Sequence, residues 1–164
     1  MPAYKSKTDE GKCLFCEIIR GHVKTPGIFW EDDYFIAFLS IFPNVKGFTA
    51  VMPKKHYGSD VLAMPDNVLK KFIIVAKKVS KILLKNFKDV GRIGLIMEGT
   101  GVDHAHIKLV PLPGTGHMKR GIWKQYLSKR SAFFKKYEGF ITSVEGPKAD
   151  PNEIRKLAER LKSK

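Results

Sequence analysis

Three side chains suited to phosphate chemistry recur at every second position of one short segment: His104, His106 and Lys108. Side chains of a β-strand alternate between its two faces, so a strand over His104–Pro111 places these three on one face, where an anion would meet all of them. A neutral imidazole attacks phosphorus near pH 7, and cationic groups neutralise phosphate oxygens. The pattern predicts His106 as a nucleophile, with His104 and Lys108 at the phosphate. The alternative is a solvated face with two incidental histidines.

A glycine-bearing loop precedes this segment. The backbone amides of Gly99, Thr100 and Gly101 are predicted to form a small concavity that binds a phosphate, because glycine permits close approach of the backbone. A plain turn is the alternative interpretation of the same three residues.

Four residues are of the types that zinc prefers: Cys13, Cys16, His56 and His104. The two-residue gap between the cysteines lets both sulfurs face one ion, and each histidine lies close to a predicted strand. The alternative is a reduced cysteine pair with unrelated histidines. A thioredoxin-like redox role is disfavoured, because no βαβ pattern surrounds the cysteines.

The chain is strongly basic, with a formal net charge of +14 over 164 residues. Seven cations and no acid fall within His117–Lys136, interleaved with aromatic residues. Such a surface attracts polyanions, so a nucleic acid is a candidate partner. No apolar run approaches the roughly 18 residues needed to cross a bilayer, which excludes a membrane-spanning helix. The first dozen residues lack the apolar core of a secretory signal, so we expect a cytoplasmic protein.

Hydrophobic periodicity predicts an α+β domain with a five-stranded, mainly antiparallel sheet and one long helix. The predicted strands are Ile28–Glu31, Tyr34–Leu39, Phe48–Met52, Arg92–Met97 and the histidine segment; the helices are Cys13–Ile19, Pro65–Phe87 and one beginning at Asp150. Residues 1–11 are predicted as a flexible leader, 12–113 as the domain, and 114–164 as a basic, aromatic extension ending in a helix.

Four segments together resemble the histidine-triad (HIT) family, in the order found there. They are Cys13–Gly21, Ala37–Gly47, Met52–His56 and His104–Pro111. The resemblance covers roughly residues 11–113. The chain is similar to the zinc-bearing microbial branch of the family, whose members carry a CxxC motif near the start.

This resemblance implies a nucleotide hydrolase or transferase that cleaves at an α-phosphate, in dinucleoside polyphosphates or nucleoside phosphoramidates. His106 would form a nucleotidyl-histidine intermediate that water resolves, and a structural zinc ion would bind the two cysteines, His56 and His104. Members are commonly homodimers, built through the long helix and a central strand into one ten-stranded sheet. The nucleotide would contact a set of residues near the sheet: Phe15, Ile18, Phe38, Ser40 and Ile41. For the apolar members of that set, plain core packing is an equal alternative.

Several features depart from the family pattern. Lys108 replaces the third triad histidine, Ser40 replaces a ribose-binding aspartate, and Phe48 stands where the family has histidine after a glycine. The loop before the triad is also shorter, and it carries Glu98 where asparagine is common. Two other functions therefore stay open. One is a non-catalytic module that binds nucleotides or nucleic acids, and the other is an enzyme that removes nucleotidyl groups from nucleic-acid ends.

Overall fold

The computed structural model describes residues 10–25, 27–142, 148 and 150–152. The chain divides into two compact units, of which the first ends at Lys124 and the second begins at Gln125. Within the described part of the chain, no helix combines the length and apolarity needed to cross a membrane.

The first unit is built on a five-stranded antiparallel sheet with the order β1-β2-β3-β5-β4. Its strands are β1 (Ile28–Glu31), β2 (Phe35–Leu39), β3 (Thr49–Pro53), β4 (Val90–Ile96) and β5 (Ile107–Pro113); its helices are α1 (Leu14–Ile19) and α2 (Asp66–Asn86). Two short 3-10 helices, Val61–Ala63 and Gly116–Arg120, complete the unit. The predicted fold class is confirmed.

Both faces of the central strands are buried, because each face is covered by a helix. Alternate residues of β2 and β3, such as Phe35 and Val51, pack with α2, while their neighbours Phe38 and Met52 pack with α1. The ring of Phe35 stacks on Phe72 of α2, with centroids 5.5 Å apart. The residues of α1 therefore pack directly on β2 and β3.

The histidine segment differs from its prediction, since β5 begins only at Ile107. Pairing with β3 ends at Val51 opposite Ile107, and the amide of Ala105 instead donates to the carbonyl of Tyr57 at 2.8 Å. Alternation nevertheless persists: Ala105 joins the core beneath α2, and the two histidines face the side that holds α1. Neither histidine is solvated, because His104 is 0% exposed and His106 is 5% exposed.

The second unit has little regular structure in its described residues. The rings of Phe134 and Phe140 meet edge to face with centroids 5.2 Å apart. Asp150 accepts a hydrogen bond from the amide of Asn152 at 2.8 Å, as a helix-capping residue does. Most of the helix predicted from Asp150, and most of the predicted leader, lie outside the described residues.

Candidate active site and metal centre

His106 is held in one tautomer beside a cavity of about 440 Å³. Its Nδ1 lies 2.7 Å from the carbonyl oxygen of His104, and since a carbonyl only accepts, Nδ1 must carry the proton. The lone pair is then on Nε2, to which no described residue hydrogen-bonds. Burial lowers the pKa of His106, so the ring is neutral at pH 7. A neutral, oriented imidazole is what nucleophilic attack requires.

Phe15 of α1 packs against this imidazole. The two rings meet edge to face at 5.3 Å, and Phe15 makes a similar contact with Phe38 at 5.9 Å. Phe15 is both a core residue, at 4% exposure, and part of the cavity wall. The two interpretations of this residue are therefore compatible.

The cavity brings together most of the residues that the sequence singles out. Of the predicted nucleotide- and phosphate-binding residues, its wall includes Phe15, Ile18, Phe38, Ser40, Ile41, Gly101 and Lys108, with His106 beside them. Further lining residues were not predicted: Leu14, Val23, Lys24, Thr25, Leu39, Phe42, Phe48, Ala50 and Val102. They are mostly apolar. They come from α1 and the loop after it, from β2, β3 and the loop between them, and from the loop before the histidines, and the convergence of these segments depends on the tertiary fold.

The remaining predicted phosphate-binding residues lie elsewhere. Gly99 has a φ of +67°, and a Cβ at this position would approach the carbonyl oxygen of Ser59 to 2.7 Å. Glycine is therefore needed here for the loops of Gly99 and Ser59 to pack against each other. Neither Gly99 nor Thr100 belongs to the cavity wall as the described residues define it. The ring of His104 is also away from the cavity, with Nε2 bonded to the carbonyl of Pro53 at 2.8 Å and Nδ1 facing two sulfurs.

Lys108 forms an ion pair with Glu98. The side chains are 25% and 13% exposed, and burial lowers the pKa of Lys108. The sequence marks each residue as a departure from the family pattern, yet it does not predict their contact. The register of β4 against β5, which pairs Ile96 with Lys108, is what brings them together.

Cys13, Cys16, His56 and His104 form the cluster that the sequence predicts. Their ligand atoms all lie within 4.8 Å of one another, an arrangement that can hold a metal ion. The Nδ1 of His104 is 3.6 Å from each sulfur, and the Nδ1 of His56 is 3.4 Å from the sulfur of Cys16. Burial and the adjacent Cys13 raise the pKa of Cys16 to about 11, so this thiol needs a nearby cation to ionise at pH 7.

Glu17, which sequence reasoning missed, fixes helix α1, which carries Cys16 and begins directly after Cys13. It is 5% exposed and bonds His22 at 2.8 Å and Arg20 at 2.6 Å. His22 first and Arg20 second lower the pKa of this carboxyl. The resulting pairs hold the end of α1 against the chain that follows.

Comparisons with known proteins agree with this architecture. An uncharacterized HIT-like protein of Methanocaldococcus jannaschii is 38% identical over 103 residues, which are 60% of this chain and 78% of that protein. Adenosine 5'-monophosphoramidase hnt1 of Schizosaccharomyces pombe is 26% identical over 93% of this chain and 97% of its own. The crystal structure of SMU.412c from Streptococcus mutans is similar with a TM-score of 0.64 and 26% identity, over 96% of this chain and 87% of that one.

The family assignment rests on more than one relative. A model described as the HIT domain matches residues 22–114, which is more than half of the chain. That range contains His56, His104 and His106, and the fold around them is that of the solved relatives. The chain belongs to the HIT family.

Proposed function

We propose that this protein is a hydrolase that cleaves nucleotides at an α-phosphate through a nucleotidyl intermediate on His106. The observation that carries the proposal is the hydrogen bond from Nδ1 of His106 to the carbonyl of His104, which leaves the Nε2 lone pair for attack at the wall of a cavity. The name of the Schizosaccharomyces pombe relative, an adenosine monophosphoramidase, supports a P–N substrate.

The reaction has two steps. The Nε2 lone pair forms an N–P bond with the α-phosphorus, the bond from phosphorus to the leaving group breaks, and that group takes up a proton. Water then attacks the same phosphorus, the N–P bond breaks, and a nucleoside monophosphate leaves while Nε2 regains its lone pair. A nucleophile of this kind divides one difficult displacement into two easier ones.

The cavity has the size and lining of a nucleotide site. Its volume of about 440 Å³ is within the ordinary range for small-molecule sites. We assign the base to the apolar wall formed by Phe15, Ile18, Phe38 and Ile41, and the ribose to Ser40. Lys108 and Gly101 are assigned to the phosphate, because both line the cavity together with His106.

Zinc is the metal that we propose for the cysteine–histidine cluster. With usual bond lengths, sulfur and nitrogen ligands of a tetrahedral zinc ion lie about 3.5 Å apart, close to the 3.4 and 3.6 Å separations observed. The bond from His104 Nε2 to Pro53 supplies the outer contact that orients a ligating histidine. Four protein ligands leave no open coordination position for substrate, so the ion would be structural.

Trapping the intermediate tests the proposed function. The wild type is mixed briefly with adenosine 5'-phosphoramidate, quenched, and searched by mass spectrometry for an adenylyl group on His106. We expect the adduct in the wild type and its absence in His106→Ala, together with a loss of turnover of at least about 10³-fold. Turnover that survives His106→Ala, or a wild type without turnover or adduct, would contradict the proposal.

Assembly and location belong to the same proposal. β4 is an edge strand of the sheet, and Leu95 on it is 43% exposed. Pairing of two β4 strands would extend the sheet to ten strands and cover this edge. A cytoplasmic location fits the two free cysteines, because thiols stay reduced there, and cell fractionation would test it.

A nucleic-acid partner is the second candidate, and one structural observation favours it. Aromatic residues of the basic segment His117–Lys136 are exposed, with Trp123 at 74% and Phe133 at 72%. Exposed rings between cations suit the stacking of single-stranded bases along a backbone of phosphates. The role would be either binding alone or delivery of nucleic-acid ends to His106.

A further inference from the structure

The ion pair between Glu98 and Lys108 lies beside the proposed nucleophile for a reason of sheet geometry. β4 and β5 run antiparallel, with Ile96 opposite Lys108. Glu98 follows the end of β4, two residues beyond Ile96, and His106 precedes β5, two residues before Lys108. The ion pair joins Glu98 to Lys108, and Lys108 lines the same cavity as His106. The carboxylate is therefore held close to the place where phosphate chemistry would occur.

The two residues of the ion pair differ in their relation to the cavity. Lys108 belongs to the cavity wall, whereas Glu98 does not, within the residues that the structure describes. With side chains 25% and 13% exposed, the pair is screened less by water than a surface pair. Glu98 thus contacts the ammonium group rather than a ligand, and it acts as a positioning residue.

The pair leaves the cavity with little net positive charge, in contrast to the whole chain. The chain has 30 lysines and arginines, yet the ionisable residues of the described cavity wall are Lys24, His106 and Lys108. Lys108 is balanced by Glu98, so the exposed Lys24 is the remaining uncompensated lysine of this wall. A ligand with several phosphate charges would find few opposite charges here.

We propose that Glu98 determines the charge specificity of this cavity, by neutralising Lys108 and so favouring nucleotides with one phosphate group over polyphosphates. This inference rests on the proposed function for its place in catalysis, but the charge preference itself is a property of binding. Without the carboxylate, Lys108 would attract each additional phosphate charge.

Binding measurements with AMP and ATP test this preference. Isothermal titration calorimetry gives the ratio of ATP affinity to AMP affinity for the wild type and for Glu98→Gln. The matched control is Glu31→Gln, which removes the acid of another lysine–glutamate pair, Glu31 with Lys54 at 2.9 Å, and changes the net charge equally. We expect the ratio to rise about tenfold in E98Q and to stay unchanged in E31Q, as one unbalanced charge near the phosphates would produce.

A second variant keeps the test valid if E98Q folds poorly. The double substitution Glu98→Gln with Lys108→Gln removes both charges, and we expect its ATP-to-AMP ratio to stay within about threefold of the wild type. An unchanged ratio in E98Q, an equal rise in E31Q, or a roughly tenfold fall in the double variant would overturn the role of Glu98. Loss of the proposed function is a separate result, seen as a wild type that binds nucleotides but turns over neither adenosine 5'-phosphoramidate nor diadenosine tetraphosphate.

Discussion

Two histidines separated by one residue have opposite tautomers because different ring nitrogens meet backbone carbonyls. His104 uses Nε2 for the carbonyl of Pro53 and turns Nδ1 to the sulfurs, whereas His106 uses Nδ1 for the carbonyl of His104 and keeps the lone pair on Nε2. The peptide of His104 thus links the metal cluster to the proposed nucleophile. Any change that loosens the ring of His104 should also disturb the orientation of His106.

Two exposed histidines offer a matched test of the metal cluster. We expect about one zinc ion per chain in the wild type and in His22→Gln, because the amide of glutamine can still donate to Glu17 as His22 does. Retention should be at least about tenfold weaker in His56→Gln, because His56 is a proposed ligand. Plasma mass spectrometry after dialysis against a weak chelator measures the metal content. A metal-free wild type, or His56→Gln with its zinc retained, would refute the assignment.

At the scale of elements, the local sequence pattern predicts the bounds of helices and strands, whereas the contacts between strands depend on tertiary pairing. The apolar periodicity of α2 and the continuous apolar run of β2 place these elements within about one residue of their observed bounds. The start of β5 was missed because the amide of Ala105 pairs with Tyr57, outside the sheet. The contact of Glu98 with Lys108 was missed because strand register does not follow from local sequence.

The two edges of the sheet provide a test of assembly. Leu95 on β4 and Phe29 on β1 are comparably exposed, at 43% and 36%. If two chains pair through β4, Leu95→Lys should convert a dimer to a monomer because a charge is buried at the interface, and Phe29→Lys should leave the dimer intact. Light scattering after size-exclusion chromatography measures both masses. A monomeric wild type, or a dimer that tolerates Leu95→Lys, would rule out pairing through this edge.

For the whole molecule, charge is distributed unevenly between the cavity and the segment that follows the sheet. The cavity wall is nearly balanced by Glu98, while His117–Lys136 concentrates cations among exposed rings. The sequence predicts the basic segment directly, since composition is local, but it does not predict that the aromatic residues stay exposed. We therefore expect a small, weakly charged nucleotide in the cavity and a polyanion on the basic segment to bind independently of one another.

Single-stranded RNA should bind this basic segment with a strong dependence on salt. Substituting alanine for Lys129, Arg130, Lys135 and Lys136 removes four exposed cations. We expect affinity for a 20-nucleotide oligouridine to fall at least about tenfold and the slope of log K against log salt to decrease by up to about 3, because each phosphate contact contributes about 0.7. The matched control is the α2 variant with alanine at Lys70, Lys71, Lys77 and Lys78, which changes the net charge equally. Fluorescence anisotropy measures both, and equal weakening in the two variants would mean that overall charge, rather than this segment, attracts the RNA.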